Sequence, residues 1–158
     1  MTERQYRTSG SVYLFFSIFL VFHLIGTVEA AAPVISEVPL TSSRHVSLGV
    51  PAGNDRSTVV ISRAQYALGW DFQRRGPAWV GWELTKKQLG NVKRSNVFRL
   101  DHDLEDYLAK FNRTGVKPDE YKGSCLDRGH QVASADRTAL LSDNQATFMM
   151  SNMVARLS

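Results

Sequence analysis

The stretch SCLDRGHQVASADRT, Ser124 to Thr138, sets one histidine between an Asp-Arg-Gly triplet and a second Asp-Arg pair. An imidazole with an ordinary pKa of about 6.5 can take up a proton at neutral pH, bind a metal through either ring nitrogen, or pack in a core with its polar atoms satisfied. On these residues alone, His130 is open to all three. The guanidinium groups of Arg128 and Arg137 suit anionic oxygens, and the Asp127 carboxylate suits charge-assisted hydrogen bonds that hold a loop. Cys125 is the only cysteine, so it is either a plain buried thiol or one half of a pair whose partner lies outside this chain.

The elements that must position these groups are bounded by composition. The chain has 158 residues, 43% hydrophobic and 22% charged, which suits one globular domain and excludes a disordered or collagen-like polymer. Its formal charge of +4 falls outside the first thirty residues, where Arg4 and Arg7 are cancelled by Glu3 and Glu29. A modest basic excess suits a polyanion, but charge alone is weak evidence for one.

The N-terminus reads as an export signal. A polar start, MTERQYRTSGS, precedes the apolar run Val12 to Gly26, which is shorter than a bilayer span, and small residues come next. Val28 and Ala30 fit a small-x-small cleavage site, so residues 1–30 are read as a signal peptide cut after Ala30, the alternative being an uncleaved anchor. Either reading places the domain in a non-cytoplasmic compartment, secreted or periplasmic.

Residues 31–57 are rich in Pro, Gly and Ser and read as an irregular lead-in. β-branched and aromatic residues predict strands near 58–62 and 65–71, and Gly76-Pro77 predicts a hairpin closing at about 74–78, followed by a strand from Trp79 to Leu84. Trp79 and Trp82 are read as core residues of that strand. TKKQLGNVKR predicts a helical turn stopped by Gly90, and DLEDYLAKFN a short helix. Beyond Pro118 the chain turns polar, ADRTALL predicts a turn of helix, and ATFMMSNM predicts a buried strand with Asn144 and Asn152 on its polar borders.

A bare four-residue match such as DRGH arises by chance in roughly one chain in a thousand of this size. The flanks make chance untenable. YKGSCLDRGHQVASADRTALLSDNQATFMMSNM, with QYALGWDFQRRGPAWVGWELT upstream, resembles the DNA/RNA non-specific endonuclease family, the endonuclease G-like ββα-metal nucleases marked by DRGH, from about His45 to Met153. The resemblance implies an α+β, ββα-metal (His-Me finger) nuclease fold with a central antiparallel sheet, the nuclease domain occupying residues 58–158. It implies hydrolysis of phosphodiester bonds in DNA and RNA, contacted through the phosphate backbone without sequence preference, with Mg²⁺ as cofactor and Mn²⁺ or Ca²⁺ as possible substitutes.

The same resemblance makes His130 the general base. Gly129 would turn the backbone tightly to present the ring, and Asp127 and Arg128 would hold the loop or act in catalysis. An arginine upstream of the WV strand approaches the substrate phosphate in such enzymes, which points to Arg74 or Arg75, with Arg137 as a further phosphate contact or a core partner. Asn144 and Asn152 would orient the active-site loop.

The chain departs from the pattern at SNMVARLS, where the family continues through Pro-Gln into a helix that carries its metal-binding asparagine. That asparagine is expected beyond Ser158, so no residue of this chain is assigned as a metal ligand. The expectation is therefore a domain shortened at its C-terminus, with apolar faces of ATFMM and WVGWEL left uncovered. The alternative function is an inactive remnant that at most binds nucleic acid or a partner protein.

Overall fold

A computed structural model describes residues 33–51 and 59–157. The signal-peptide reading, its cleavage site, residues 52–58 and Ser158 lie outside these residues. Four strands form one sheet in chain order: β1 (Val34–Ser36), β2 (Val59–Ser62), β3 (Ala67–Asp71) and β4 (Gly76–Gly81). β2, β3 and β4 pair antiparallel, whereas β1 joins β2 in parallel, so the sheet is mixed and the lead-in contains a strand.

Every residue of β2 and β3 is buried, which their Val, Ile, Leu and Trp content requires. Val59, Ile61, Tyr66, Leu68 and Trp70 pack with Leu104 and Leu108 of α1 (His102–Ala109) and with Val132. Burying such side chains stabilises by roughly 1.5–3 kcal/mol each. Val132 belongs to this core and lies two residues past His130, so the core fixes the chain on which the candidate base sits.

The turn between β3 and β4 spans residues 72–75, earlier than the Gly-Pro pair suggested. The Asp71 carboxylate accepts from the backbone N–H groups of Gln73 (2.8 Å) and Arg74 (3.1 Å), and Arg75 takes the left-handed φ of 53°. Gly76 and Pro77 open β4 instead, where proline is tolerated because β4 is an edge strand. β4 ends at Gly81. Trp79 is half-buried along it, but Trp82 lies past the strand and is exposed, its indole N–H donating to Asp136 (3.1 Å).

The predicted turn at Lys86–Gln88 is a 3-10 turn with a capping box, Thr85 N–H donating to the Gln88 side chain at 2.7 Å. Thr138 and Ala139 both donate to the Gln88 carbonyl (2.9 Å each), and Gly90 N–H donates to the Thr138 hydroxyl (2.9 Å). A Cβ on Gly90 would lie 2.7 Å from the Thr138 carbonyl oxygen and 2.9 Å from the Ala139 Cα. Gly90→Ala is therefore expected to lower stability by about 1–3 kcal/mol. An unchanged urea midpoint would show that this staple gives way freely.

The strand expected at ATFMMSNM is not formed. α2 (Leu141–Ala146) occupies its start, a bridge joins Arg99 and Met149, and Met150–Asn152 is a 3-10 turn. The strand comes afterwards, as β6 (Met153–Leu157), antiparallel to β5 (Leu126–His130). Ala146, Phe148, Met150 and Met153 are buried by the described residues themselves, so the uncovered face expected there is absent.

Candidate active site

DRGH is strand, not loop. Asp127 to His130 pair with Arg156 to Met153, and backbone pairing rather than side-chain bonds of Asp127 and Arg128 holds the segment. Gly129 is buried in mid-strand, where an added Cβ would meet the Val154 carbonyl oxygen at 3.1 Å and the Arg156 Cβ at 3.4 Å. The glycine permits close approach of β6 instead of a tight turn. Alternation puts Arg128 and His130 on one face and Asp127 on the other, exposed and opposite Arg156.

His130 ends β5, and Asn152 clamps the two residues after it. The Asn152 carbonyl accepts from Gln131 N–H (3.0 Å). Its side-chain amide accepts from Val132 N–H (3.0 Å) and donates to the carbonyls of Val132 (3.0 Å) and Thr147 (2.9 Å). Asn144 does the same for the surrounding loops, accepting from Ser95 N–H (2.9 Å) and donating to the carbonyls of Ser134 (2.8 Å) and Arg137 (3.0 Å). Both asparagines are fully buried. They sit in α2 and in a 3-10 turn rather than at the borders of a strand.

The imidazole lies edge-on to two aromatic rings, 5.6 Å from Phe98 and 4.7 Å from Phe148 between centroids, and those rings are 5.1 Å apart. Nε2 is buried with no hydrogen-bond partner among the described residues. Burial in this aromatic corner, reinforced by the Arg94 cation, lowers the His130 pKa to about 4. The ring is therefore neutral at physiological pH. Two guanidinium groups lie over the same aromatics: Arg128 over Phe98 (3.9 Å) and Arg94 over Phe148 (4.9 Å).

The other arginines are placed differently. Arg137 is 1% exposed and donates to the carbonyls of Asp136 (2.8 Å), Gln65 (3.2 Å) and Glu83 (3.1 Å). It is a buried staple between loops, which is the core-partner alternative of its two readings. Arg75 is held by Glu120 through two bonds of 2.9 Å and by the Gly115 carbonyl (2.6 Å), which leaves it committed. Arg74 is exposed, its Nε 3.8 Å from the Asp71 carboxylate. Both line a cavity of about 380 Å³ with Pro77, Tyr121, Leu126 and Val154, beside β6. The arginine that acts electrostatically on His130 is Arg94.

Arg94, Phe98 and Phe148 are the site residues that sequence reading missed. KRSNVFRLD has neither helical nor strand periodicity, and only its mix of arginines around an aromatic hinted at a role. Cys125, read as a plain buried thiol or half of a pair, is exposed, in the left-handed region at φ 60°. Among the described residues no three His, Cys, Asp or Glu side chains gather to hold a metal ion. These residues do not by themselves fit a divalent cation. The described residues stop at Leu157, so the metal-binding asparagine expected beyond Ser158 lies outside them.

A neutral imidazole packed on two aromatic rings that each carry a guanidinium can accept a proton near a bound anion. The DNA/RNA non-specific endonuclease family model matches residues 42–156, most of the chain and all of this site. The chain belongs to that family. It is 36% identical to a nuclease of Nostoc sp. over 132 residues, covering 80% of the chain and 46% of that protein. It is 33% identical to mitochondrial endonuclease G of Bos taurus over 98 residues, covering 61% of the chain and 31% of that protein. A crystal structure of the EndoG/EndoGI complex matches it with a TM-score of 0.59 at 27% identity, over 72% of this chain and 44% of that one. The chain thus spans less than half the length of these relatives. The α+β fold that the resemblance implied is the one observed, but its four-stranded sheet is mixed rather than antiparallel throughout, because β1 joins in parallel.

Proposed function

We propose that the chain hydrolyses phosphodiester bonds of DNA and RNA without sequence preference, with His130 as general base. The observation that carries this reading is the imidazole itself, kept neutral at the end of the DRGH strand against two aromatic rings that each carry a guanidinium. His130 takes a proton from the attacking water while the new P–O bond forms and the bond to the 3′ oxygen breaks. Nδ1 is the accepting atom, because Nε2 is enclosed. Arg128 lies on the same strand face and offsets the charge gathering on the phosphate. Asn152 fixes the ring by holding Val132.

Mg²⁺ is the cofactor that membership of this family implies, with Mn²⁺ or Ca²⁺ as substitutes, and no step is assigned to it because the described residues do not form its site. The apolar run Val12–Gly26 supports export out of the cytoplasm. Among the described residues no helix is long and apolar enough to cross a membrane.

The test is cleavage of supercoiled plasmid and of a structureless RNA by the purified chain, with Mg²⁺, Mn²⁺ or Ca²⁺ and with chelator. Cleavage of both polymers supports the reading. Binding of both without cleavage under any ion would replace it with that of a nucleic-acid-binding fragment.

The pH profile gives a sharper check. A base must be unprotonated, so activity is lost as pH falls through the folded-state pKa of about 4. The rate on RNA should stay level from roughly pH 7 down to 5, where a histidine at its ordinary value of about 6.5 would already be mostly protonated. An acid limb near the ordinary value would mean that the aromatic corner does not exclude water.

A further inference from the structure

We propose that Asp101 is a positioning residue for His130, acting through the Ser151 hydroxyl on the turn that carries Asn152. The inference deepens the nuclease reading above, on which its catalytic consequence rests, and both residues lie outside DRGH and outside the groups that the sequence singled out.

Asp101 is 2% exposed and divides its two oxygens between different parts of the fold. Oδ1 accepts from Arg63, just past β2, and from Leu104 N–H in the first turn of α1. Oδ2 accepts from the Ser151 hydroxyl, in the middle of the buried 3-10 turn Met150–Asn152. A buried carboxylate held by a guanidinium and by a helix N-terminus is a rigid anchor, since displacing it would break a paired charge in the core. The Ser151 hydroxyl ties that anchor to the turn.

The backbone follows the same line. Arg99 N–H donates to the Phe148 carbonyl (3.1 Å), and Met150 N–H donates to the Arg99 carbonyl (2.9 Å), so the segment 98–101 is sewn to 148–151. These two segments supply Phe98 and Phe148, the rings against which the imidazole packs. Asn152, next to Ser151, holds Gln131 and Val132, and Met153 pairs with His130 itself. Asp101 thus fixes the turn to the core while Asn152 fixes it to the residues that follow the DRGH strand. The aromatic corner that encloses Nε2 closes only when both hold.

The test is Ser151→Ala in the full chain, which deletes one hydroxyl and leaves the Arg63–Asp101 pair and the α1 cap in place. The first readout is protonation of His130, followed by NMR of its ring between roughly pH 4 and 8, with the signal assigned by its loss in His130→Ala. The pKa of about 4 in the unsubstituted chain should rise by about one unit as water reaches Nε2. Arg94, the cation that acts on the ring, and Arg128, over Phe98, are unchanged by the substitution. The second readout is RNA cleavage, in which kcat should fall about tenfold at an unchanged KM. Val60→Ala is the comparator. It removes volume at a 3% exposed residue on the opposite face of β2 from Val59 and Ile61, so it should lower the urea midpoint and leave the His130 midpoint and kcat as they were.

An unchanged His130 midpoint in Ser151→Ala overturns the proposal. So does an equal rise in Val60→Ala, which would make the effect one of stability alone. If the unsubstituted chain cleaves nothing, the nuclease reading fails by itself and the His130 midpoint still decides the positioning role. If Ser151→Ala does not fold by circular dichroism, Ser151→Cys, which keeps a weaker donor in nearly the same shape, carries the test. A rise in its His130 midpoint supports the proposal, and no rise overturns it.

Discussion

His130→Ala is expected to lower plasmid nicking by on the order of 10²–10⁴-fold while leaving nucleic acid binding nearly unchanged. The expectation comes from how the ring is built into the protein. It is half-buried at the end of a strand and makes no hydrogen bond through Nε2, so its loss removes a proton acceptor without breaking a polar network. Truncation would leave a small space beside Phe98 and Phe148, which remain packed on each other. Circular dichroism and salt-dependent binding should therefore match the unsubstituted chain. Residual nicking within a few-fold of the original would assign the base to another group.

Arg63→Ala is expected to have the largest effect on stability, roughly 3–5 kcal/mol. Arg63 is 2% exposed and paired with Asp101, also 2% exposed, with Glu37 and Asp103 beside it. Burial opposes its charge, but Asp101 and the neighbouring acids hold its pKa above the ordinary value. Removing the guanidinium would strand the Asp101 carboxylate in the core. That carboxylate also caps α1 through Leu104 N–H (3.4 Å) and accepts from the Ser151 hydroxyl, next to Asn152. Urea unfolding measures the loss, and the double variant with Asp101→Asn should lose less than the sum of the single changes. A single-variant loss below about 1 kcal/mol would mean that water reaches the pair.

The sequence made some of this plain and hid the rest for physical reasons. β2 and β3 were legible because their β-branched and aromatic runs have few other uses, and α1 from the short helical stretch DLEDYLAKFN, whose Asp101 cap only the structure reveals. The strand misplaced onto ATFMMSNM shows the limit of apolar runs. Ala146, Phe148 and Met150 are apolar because they are buried, not because they are extended, and burial alone does not separate a strand from a helix end and a 3-10 turn. His130 was read from a motif, but its surroundings come from residues 94, 98 and 148, which only tertiary packing brings together. The same holds for the arginines: Arg75 and Arg137 look identical to Arg94 in sequence, and differ in whether a carboxylate, a set of carbonyls or nothing anionic waits beside them.

The Asn152 clamp has a consequence for the order of events during synthesis. The strand bearing His130 gains its pairing partner only from Met153 onward, and the bonds that set Val132 come from a residue twenty positions later. A nascent chain that has emerged only as far as His130 thus carries the DRGH motif without the partner strand that shapes it. The clamp is completed only after β2 and β3, which supply the core around Val132, have been synthesised. A ribosome stalled before residue 152 would display the DRGH segment without its pairing strand and without its clamp.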